Sequence, residues 1–178
     1  MNATRGFTLI ELLIAVTIIA VLLGIALPAV SNTLEAARAI DTRSELLASL
    51  TTASQRAALT GQRSVLCPSA DGESCLDNED WSSGWIVFSD PDADRAHDSD
   101  EPLLHQQAAL AGKVHLRSTV GRIRIAFQGN GGNVGSNVTF TLCDGRGPAH
   151  AVALVISNAG RLREGVPTAA AIAATCAG

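Results

Sequence analysis

Residues 5–34 read RGFTLIELLIAVTIIAVLLGIALPAVSNTL and give the most information about the architecture of the chain. Residues 12–34 form a run of 23 residues without a charge. As an α-helix, the run would be about 34 Å long, which exceeds the roughly 30 Å hydrocarbon core of a bilayer. A secretory signal has an apolar region of only about 7 to 15 residues, followed by a small-residue cleavage site. The run therefore predicts a membrane-spanning helix.

A single carboxylate, Glu11, stands among the apolar residues at the start of this segment. An ionised side chain in lipid is costly, and the cost is smaller near the edge of the bilayer. Glu11 is therefore expected either to lie at the membrane surface or to have a specific partner.

Residues 5–12 resemble the prepilin signature of type IV pilins and type II secretion pseudopilins. The resemblance extends to Pro28, where such helices usually have a kink-forming proline. It implies cleavage by a prepilin peptidase between Gly6 and Phe7 and methylation of the Phe7 amine. It also implies that Glu11 pairs with the N-terminal amine of a neighbouring pilin in a filament. The implied location is first the bacterial inner membrane, as a single-pass protein with a periplasmic globular domain, and then a cell-surface pilus.

The predicted organisation has three parts. Residues 1–6 are a leader, and residues 7–60 are one helix, of which 7–30 span the membrane or form the filament core and 31–60 are amphipathic. Residues 61–178 are a β-rich globular domain. Pro28 lacks an amide hydrogen and predicts a kink within residues 24–28. Gly61 is expected to end the helix.

Beyond Gly61, short runs with a period of two alternate with Gly, Asn, Asp and Pro, which indicates strands. The predicted strands cover residues 64–67, 85–89, 114–116, 122–127, 138–143, 151–157 and 161–163. The fold class is therefore α+β, with a long kinked helix packed on an antiparallel sheet or sandwich of the pilin type. Residues 129–135 are predicted to be a loop; they do not fit a phosphate-binding loop, because no helix follows them.

Four cysteines fit disulfides, because the leader would deliver the domain to an oxidising compartment. Three connectivities are possible. The spacing favours Cys67 with Cys75 and Cys143 with Cys176. A zinc site is the rival hypothesis, but the chain has no Cys-x-x-Cys pair and its four histidines are scattered.

The net charge of −4 disfavours a uniformly basic nucleic-acid binder, but the charge is unevenly distributed. Residues 71–101 carry eleven carboxylates against Arg95 alone, a net charge of −10. Within them, residues 90–101 place carboxylates at positions one, three, five, nine and twelve of a calcium loop. Arg95, however, stands at the position where the sharp turn of that loop normally needs glycine. Because similar acidic loops occur in GspH and FimT-like pilins, a solvated loop without a metal is favoured, and a calcium site is the alternative.

Residues 158–163, NAGRLR, predict a tight reversal followed by a strand. Leu162 would face the core, and Arg161 and Arg163 would share the outer face. Two guanidiniums on one face can bind an anion, although charges on an edge strand also serve to block strand pairing. Residues 160–163 resemble the Gly-Arg-x-Arg motif of FimT-like minor pilins, in which such arginines are associated with DNA capture in natural transformation.

The resemblance thus implies a minor type IV pilin that binds extracellular double-stranded DNA through its phosphates with Gly160, Arg161 and Arg163. Few aromatic residues are available to stack single-stranded bases. Residues 121–124 repeat the motif, and there an ordinary strand with outward arginines is expected. Auxiliary DNA contacts are predicted at Lys113, Arg117, Arg122, Arg124 and Arg146.

The alternative is a minor pilin without DNA contact, either FimU-like and priming pilus assembly or a GspH-type pseudopilin of type II secretion. The leader does not separate these possibilities. The four histidines lie in separate segments, and no Ser or Cys stands in a nucleophile motif. The sequence therefore predicts neither an enzyme nor a cofactor.

Overall fold

The structure is a computed structural model that describes residues 8–133, 137–158 and 161–177, with Pro28 described by its backbone only. The described residues form two compact units, one ending at Leu34 and the other beginning at Glu35. Helix α1, Leu9–Thr60, belongs to both. The leader, residues 1–6, and the predicted cleavage site at Gly6 and Phe7 lie outside the described residues.

The first unit consists of the apolar part of α1. The helix is continuous through Gly24 and Pro28. Its apolar side chains are exposed, Leu9 by 78% and Ile25 by 70%. An 18-residue window has a mean hydropathy of 2.8, and α1 is the one helix among the described residues that is long and apolar enough to cross a bilayer. An apolar surface of this extent indicates a lipid or protein environment.

The second unit contains two four-stranded antiparallel sheets. Sheet A has the order β3-β2-β1-β5, and sheet B has the order β4-β6-β7-β8. The strands are β1 Arg63–Pro68, β2 Trp85–Asp90, β3 Leu103–Gln107, β4 His115–Ser118, β5 Ile125–Phe127, β6 Val138–Cys143, β7 Val152–Ile156 and β8 Leu162–Gly165. A 3-10 turn, Pro148–His150, precedes β7, and helix α2, Ala169–Cys176, follows β8.

The second half of α1 buries a stripe of apolar residues that includes Leu46, Leu50 and Ala57. These residues share one core with side chains from both sheets, among them Trp85 of β2 and Phe140 of β6. The Trp85 indole N–H donates to Ser49 Oγ at 2.9 Å, so this buried nitrogen has a partner on the helix. The amphipathic half of α1 therefore forms part of the domain core, as the helical spacing of its apolar residues predicts.

Each predicted strand overlaps an observed one, and residues 138–143 have the same bounds in both. The prediction for residues 122–127 was wrong at its start, because β5 begins only at Ile125 and the two arginines precede it. Strand β3, which has polar residues and lies at the edge of sheet A, was not predicted. Helix α2 was not predicted either, although Thr168 is a good N-cap whose Oγ1 accepts the Ala171 N–H at 3.2 Å.

Two disulfides join the pairs that the spacing favours. Cys67 at the end of β1 bonds to Cys75, eight residues later, and closes a small loop. Cys143 at the end of β6 bonds to Cys176 of α2 and ties that helix to sheet B. The described residues contain no free cysteine.

Candidate functional site

Glu11 lies in the first turn of α1 and forms a capping box with Thr8. Its Oε2 accepts hydrogen bonds from the Thr8 N–H at 3.1 Å and from the Thr8 hydroxyl at 3.0 Å. Its own N–H donates to Thr8 Oγ1 at 3.3 Å. This arrangement satisfies donors that a helix N-terminus leaves unpaired. The Thr-x-x-Glu spacing could have predicted this local partner, which the sequence analysis did not consider.

The edge strand β8 contains Arg163 of the second Gly-Arg-x-Arg motif, and Arg161 lies directly before it. It pairs antiparallel with β7, with Arg163 opposite Val155 and Leu162 opposite Ile156. Arg161 precedes the strand and closes the hairpin, since its N–H donates to Ser157 Oγ at 3.2 Å and its carbonyl accepts the Ser157 N–H at 3.0 Å. Gly160 lies outside the described residues.

Leu162 packs against the core, whereas Arg161 and Arg163 are exposed, as the alternation along the strand predicts. Within the described part of the chain, no carboxylate lies within 4.0 Å of either guanidinium. Glu164, the residue after Arg163 in β8, forms an ion pair with Arg43 of α1. The nearest carboxylate in sequence is therefore occupied by another cation, and the two arginines can bind an external anion.

The first Gly-Arg-x-Arg motif, residues 121–124, has a different environment. Arg124 Nη1 lies 2.6 Å from Asp77 Oδ1, and its Nε donates to the Arg95 carbonyl at 2.8 Å. Arg122 also has a partner within the chain. The N–H of Gly121 donates to Glu79 Oε1 at 3.1 Å. Intramolecular contacts thus occupy this motif.

Two of the other predicted auxiliary cations are engaged as well. Arg146 makes a bidentate contact with Asp144, at 3.0 Å from Nε to Oδ1 and 2.7 Å from Nη2 to Oδ2. Arg117 Nη2 lies 3.9 Å from Glu79 Oε2. Lys113 is exposed, and its ammonium has no ion pair within the described residues. Arg117 and Arg146 thus have carboxylate partners, whereas Lys113, like Arg161 and Arg163, is exposed.

The acidic loop, residues 90–101, folds so that three carboxylates converge. Oxygen atoms of Asp90, Asp92 and Asp94 all lie within 4.8 Å of one another. The Asp90 side chain is fully buried, and neither of its carboxylate oxygens has a hydrogen-bond partner. The description of the whole loop as solvated was therefore wrong, because one of its carboxylates belongs to the buried end of β2.

Glu101, the last residue of the acidic loop, is also buried, with 9% of its surface exposed. Its Oε2 accepts the Asp98 N–H at 3.1 Å, whereas Oε1 has no partner. Burial, together with the charges of Asp90, Asp92 and Asp98, raises the pKa of the Glu101 carboxyl. The loop therefore concentrates negative charge that few donors stabilise.

Burial likewise raises the pKa of the Asp90 carboxyl. The amide dipoles of Arg95 and Ala93 oppose this shift in part, although neither amide makes a well-formed hydrogen bond to the carboxylate. Arg63 also opposes it, with Nη1 at 3.8 Å from Asp90 Oδ2. Sequence spacing indicated the five loop positions, but not which carboxylates are buried.

Solved structures with a similar fold come from two bacterial filament systems. The type IV minor pilin FimU of Pseudomonas aeruginosa is 20% identical, with a TM-score of 0.57 over 75% of this chain and 89% of FimU. The minor pseudopilin EpsH of the Vibrio cholerae type 2 secretion system is 14% identical, with a TM-score of 0.52 over 73% of this chain and 98% of EpsH. At these identities the likeness shows the fold alone.

Two family models match the chain itself. The model described as type II transport protein GspH matches residues 42–160, and the model of the prokaryotic N-terminal methylation motif matches residues 1–27. The methylation motif and the apolar helix indicate membrane anchoring. Because the first match covers well over half of the chain, the protein belongs to the GspH family, within the structural pilins and pseudopilins of type IV pili and type II secretion systems.

Proposed function

We propose that this protein is a FimT-like minor pilin that enters a type IV pilus and binds extracellular double-stranded DNA without sequence preference, for uptake in natural transformation. The observation that carries the proposal is a contrast. Arg161 and Arg163 are exposed and have no ion pair among the described residues, whereas the other arginines predicted to contact DNA have intramolecular partners.

The chemistry follows from the geometry of the guanidinium group. Each guanidinium presents a planar fork of N–H donors that matches two phosphate oxygens. Residues two apart on a strand lie about 7 Å from each other on one face. Contacts of this kind neutralise phosphates and release counterions, so binding is non-specific and weakens with salt. With about four phosphates contacted, the logarithm of the binding constant should fall against the logarithm of salt with a slope of about −3.6.

A gel shift with duplex DNA tests the proposed site, using the detergent-solubilised full chain. We expect R161Q/R163Q to bind at least about tenfold more weakly than the wild type, because two charge-assisted contacts are lost. The matched control is R122Q/R124Q, which removes the same charge from the same sequence motif and should change affinity by less than about threefold. Equal binding by the wild type and R161Q/R163Q, or no binding by either, contradicts the proposal.

Maturation is proposed to follow the prepilin route. A prepilin peptidase cleaves between Gly6 and Phe7 in the inner membrane, and the new Phe7 amine is methylated. Glu11 then exchanges its contacts with Thr8 for the N-terminal amine of a neighbouring subunit, a charge-assisted bond in an apolar environment. The globular domain remains in the periplasm until the subunit enters the filament.

Mass spectrometry of the protein recovered from cells tests this route, and the expected N-terminal peptide begins with methylated Phe7. E11Q keeps the size of the side chain but loses the charge, so it should be processed normally and yet be depleted from sheared filaments. Retention of the intact precursor by wild-type cells contradicts the proposed cleavage, and normal incorporation of E11Q contradicts the proposed pairing.

A second candidate function is a minor pilin or pseudopilin without DNA contact. The similarity to FimU and EpsH and the match to the GspH family favour it, as does the net charge of −10 over residues 71–101, which opposes DNA. The gel shift separates the two candidates. Loss of pilus assembly or of secretion in a deletion strain then separates the two filament systems.

A further inference from the structure

We propose that Asp90, Asp92, Asp94 and Glu101 form a calcium-binding site at the end of β2, independent of the proposed DNA contact. Three of the carboxylates already lie within 4.8 Å of one another. Calcium binds six to eight oxygen ligands and accepts flexible geometry, so a set of carboxylates on one loop suits it.

Asp90 and Glu101 distinguish this cluster from an ordinary acidic surface. The Asp90 side chain is fully buried, and both of its oxygens lack hydrogen-bond partners among the residues that the structure describes. The buried Oε1 of Glu101 lacks one as well. Burying an ionised group without a partner is unfavourable. The Arg63 guanidinium, 3.8 Å from Asp90, compensates for one charge of the four. A divalent cation supplies the remaining compensation and the missing partners for these oxygens.

The backbone conformation of the acidic loop accommodates a residue other than glycine at its sixth position. Arg95 occupies the sixth position of the loop, where glycine is usual because the turn there is sharp. In the structure Arg95 has a positive φ of 68°, and Ala93 has a positive φ of 72°. The side chain at position six therefore does not prevent the turn from forming.

Two arginines hold this turn in place. Arg63 Nη1 donates to the Ala93 carbonyl at 2.8 Å, and Arg124 Nε donates to the Arg95 carbonyl at 2.8 Å. Both acceptors belong to the residues with positive φ. Because these bonds fix the backbone between the aspartates, the carboxylates are preorganised, and less ordering is required when a cation binds.

Isothermal titration of the detergent-solubilised full chain with CaCl₂, after removal of divalent ions with a chelator, tests the site. We expect one calcium per chain, with a dissociation constant between about 10⁻⁴ and 10⁻³ M, as in extracellular calcium modules. The melting temperature should rise with calcium concentration, because only the folded state holds the site. A wild type that shows neither heat nor a shift in melting temperature overturns the proposal, and equal affinity for Mg²⁺ overturns the choice of calcium.

The diagnostic variant is D92N/D94N, since both side chains are exposed and the change preserves their size. We expect its affinity for calcium to fall at least about tenfold, because two charged ligands are lost. The control E73Q/D100N removes the same charge from two exposed carboxylates outside the four, one of them in the same loop, and should keep affinity within about twofold of the wild type.

A second readout separates ligation from a purely structural role of the loop. Without calcium, D92N/D94N should be at least as stable as the wild type, because it relieves repulsion around Asp90 and Glu101. With calcium it should be the less stable of the two. An equal calcium response from both proteins, or an equal loss of stability with and without calcium, overturns the assignment.

Discussion

The same four-residue pattern, Gly-Arg-x-Arg, occurs twice in this chain and has two different environments. At residues 121–124 it precedes β5, and Arg124 is bound to Asp77 and to the Arg95 carbonyl. At residues 160–163 it leads into the edge strand β8. Arg161 and Arg163 are exposed, and no carboxylate of the described residues lies within 4.0 Å of either guanidinium.

The difference comes from what lies beside each motif. The first motif is near the acidic segment, which contributes Asp77, Glu79 and Arg95 as partners. The second lies at the edge of the opposite sheet, where its one acidic neighbour, Glu164, pairs with Arg43. A basic motif can bind an external anion only where the fold has not already neutralised it, so the number of arginines in a pattern is a poor measure of binding capacity.

The largest expected effect is the loss of stability when a disulfide is removed. One disulfide lies beside each of the two regions. Cys143–Cys176 closes 33 residues beside sheet B, and Cys67–Cys75 closes eight residues next to the segment that holds Asp77. From loop entropy, C143S/C176S should lose about 4 kcal/mol of unfolding free energy and C67S/C75S about 2.5 kcal/mol. Urea denaturation measures both losses. A larger loss of unfolding free energy in C67S/C75S than in C143S/C176S would show that Cys67–Cys75 stabilises the acidic segment more than loop entropy predicts.

A smaller effect is expected from single arginine substitutions. R124Q removes an ion pair and a bond to a backbone carbonyl, so we expect it to lower the unfolding free energy by about 1 kcal/mol. R163Q removes no intramolecular partner among the described residues and should stay within about 0.5 kcal/mol of the wild type. Thermal unfolding of the two variants checks this difference. Equal losses of unfolding free energy would contradict the difference between the first motif, in which Arg124 has intramolecular partners, and the second motif.

Removing the carboxylate partner of Arg124 should enable the first motif to bind DNA, as is proposed for the second. D77N removes the carboxylate bound to Arg124, and the freed guanidinium should raise affinity for duplex DNA about two- to threefold and steepen the salt slope by up to about one unit. E73Q is the control, since it removes a negative charge from the same acidic segment, and Glu73 forms no ion pair with an arginine among the described residues. If both variants gain equally, the general field of the acidic segment determines affinity and the pairing of Arg124 does not.

The smallest expected effect is on the pH dependence of stability. The Gly121 N–H, and to a lesser degree Arg117, lower the pKa of the Glu79 carboxyl below its ordinary value of 4.5. Its stabilising contribution is therefore complete above this value and is lost as the pH falls through the lowered pKa of the folded state. The melting temperature of the wild type should fall more steeply than that of E79Q between about pH 5 and pH 3. Parallel curves would contradict a role for Glu79 in holding the first motif.

Much of the fold could be predicted because its patterns are local. The apolar run of α1, the alternation in residues 138–143 and the inward position of Leu162 all depend on spacing along one element. The polar edge strand β3 gave no such alternation. Residues 122–125 alternate between arginine and isoleucine as in a strand, so the start of β5 was predicted three residues too early. The candidate site was predicted in part: Arg161 and Arg163 follow from strand periodicity, whereas the partners of Arg117, Arg124 and Arg146 come from other segments or from folded turns.

The sequence alone predicts the long apolar helix and the strand-rich domain after Gly61, because hydrophobic periodicity and chain breakers act over short distances. It favours the two disulfide pairs without fixing them. The tertiary fold sets which arginines have partners among the described residues, because Asp77 is 47 residues from Arg124 along the chain and the fold places them 2.6 Å apart. It likewise decided that Asp90 and Glu101 are buried, since burial depends on what packs over a residue and not on its neighbours in sequence.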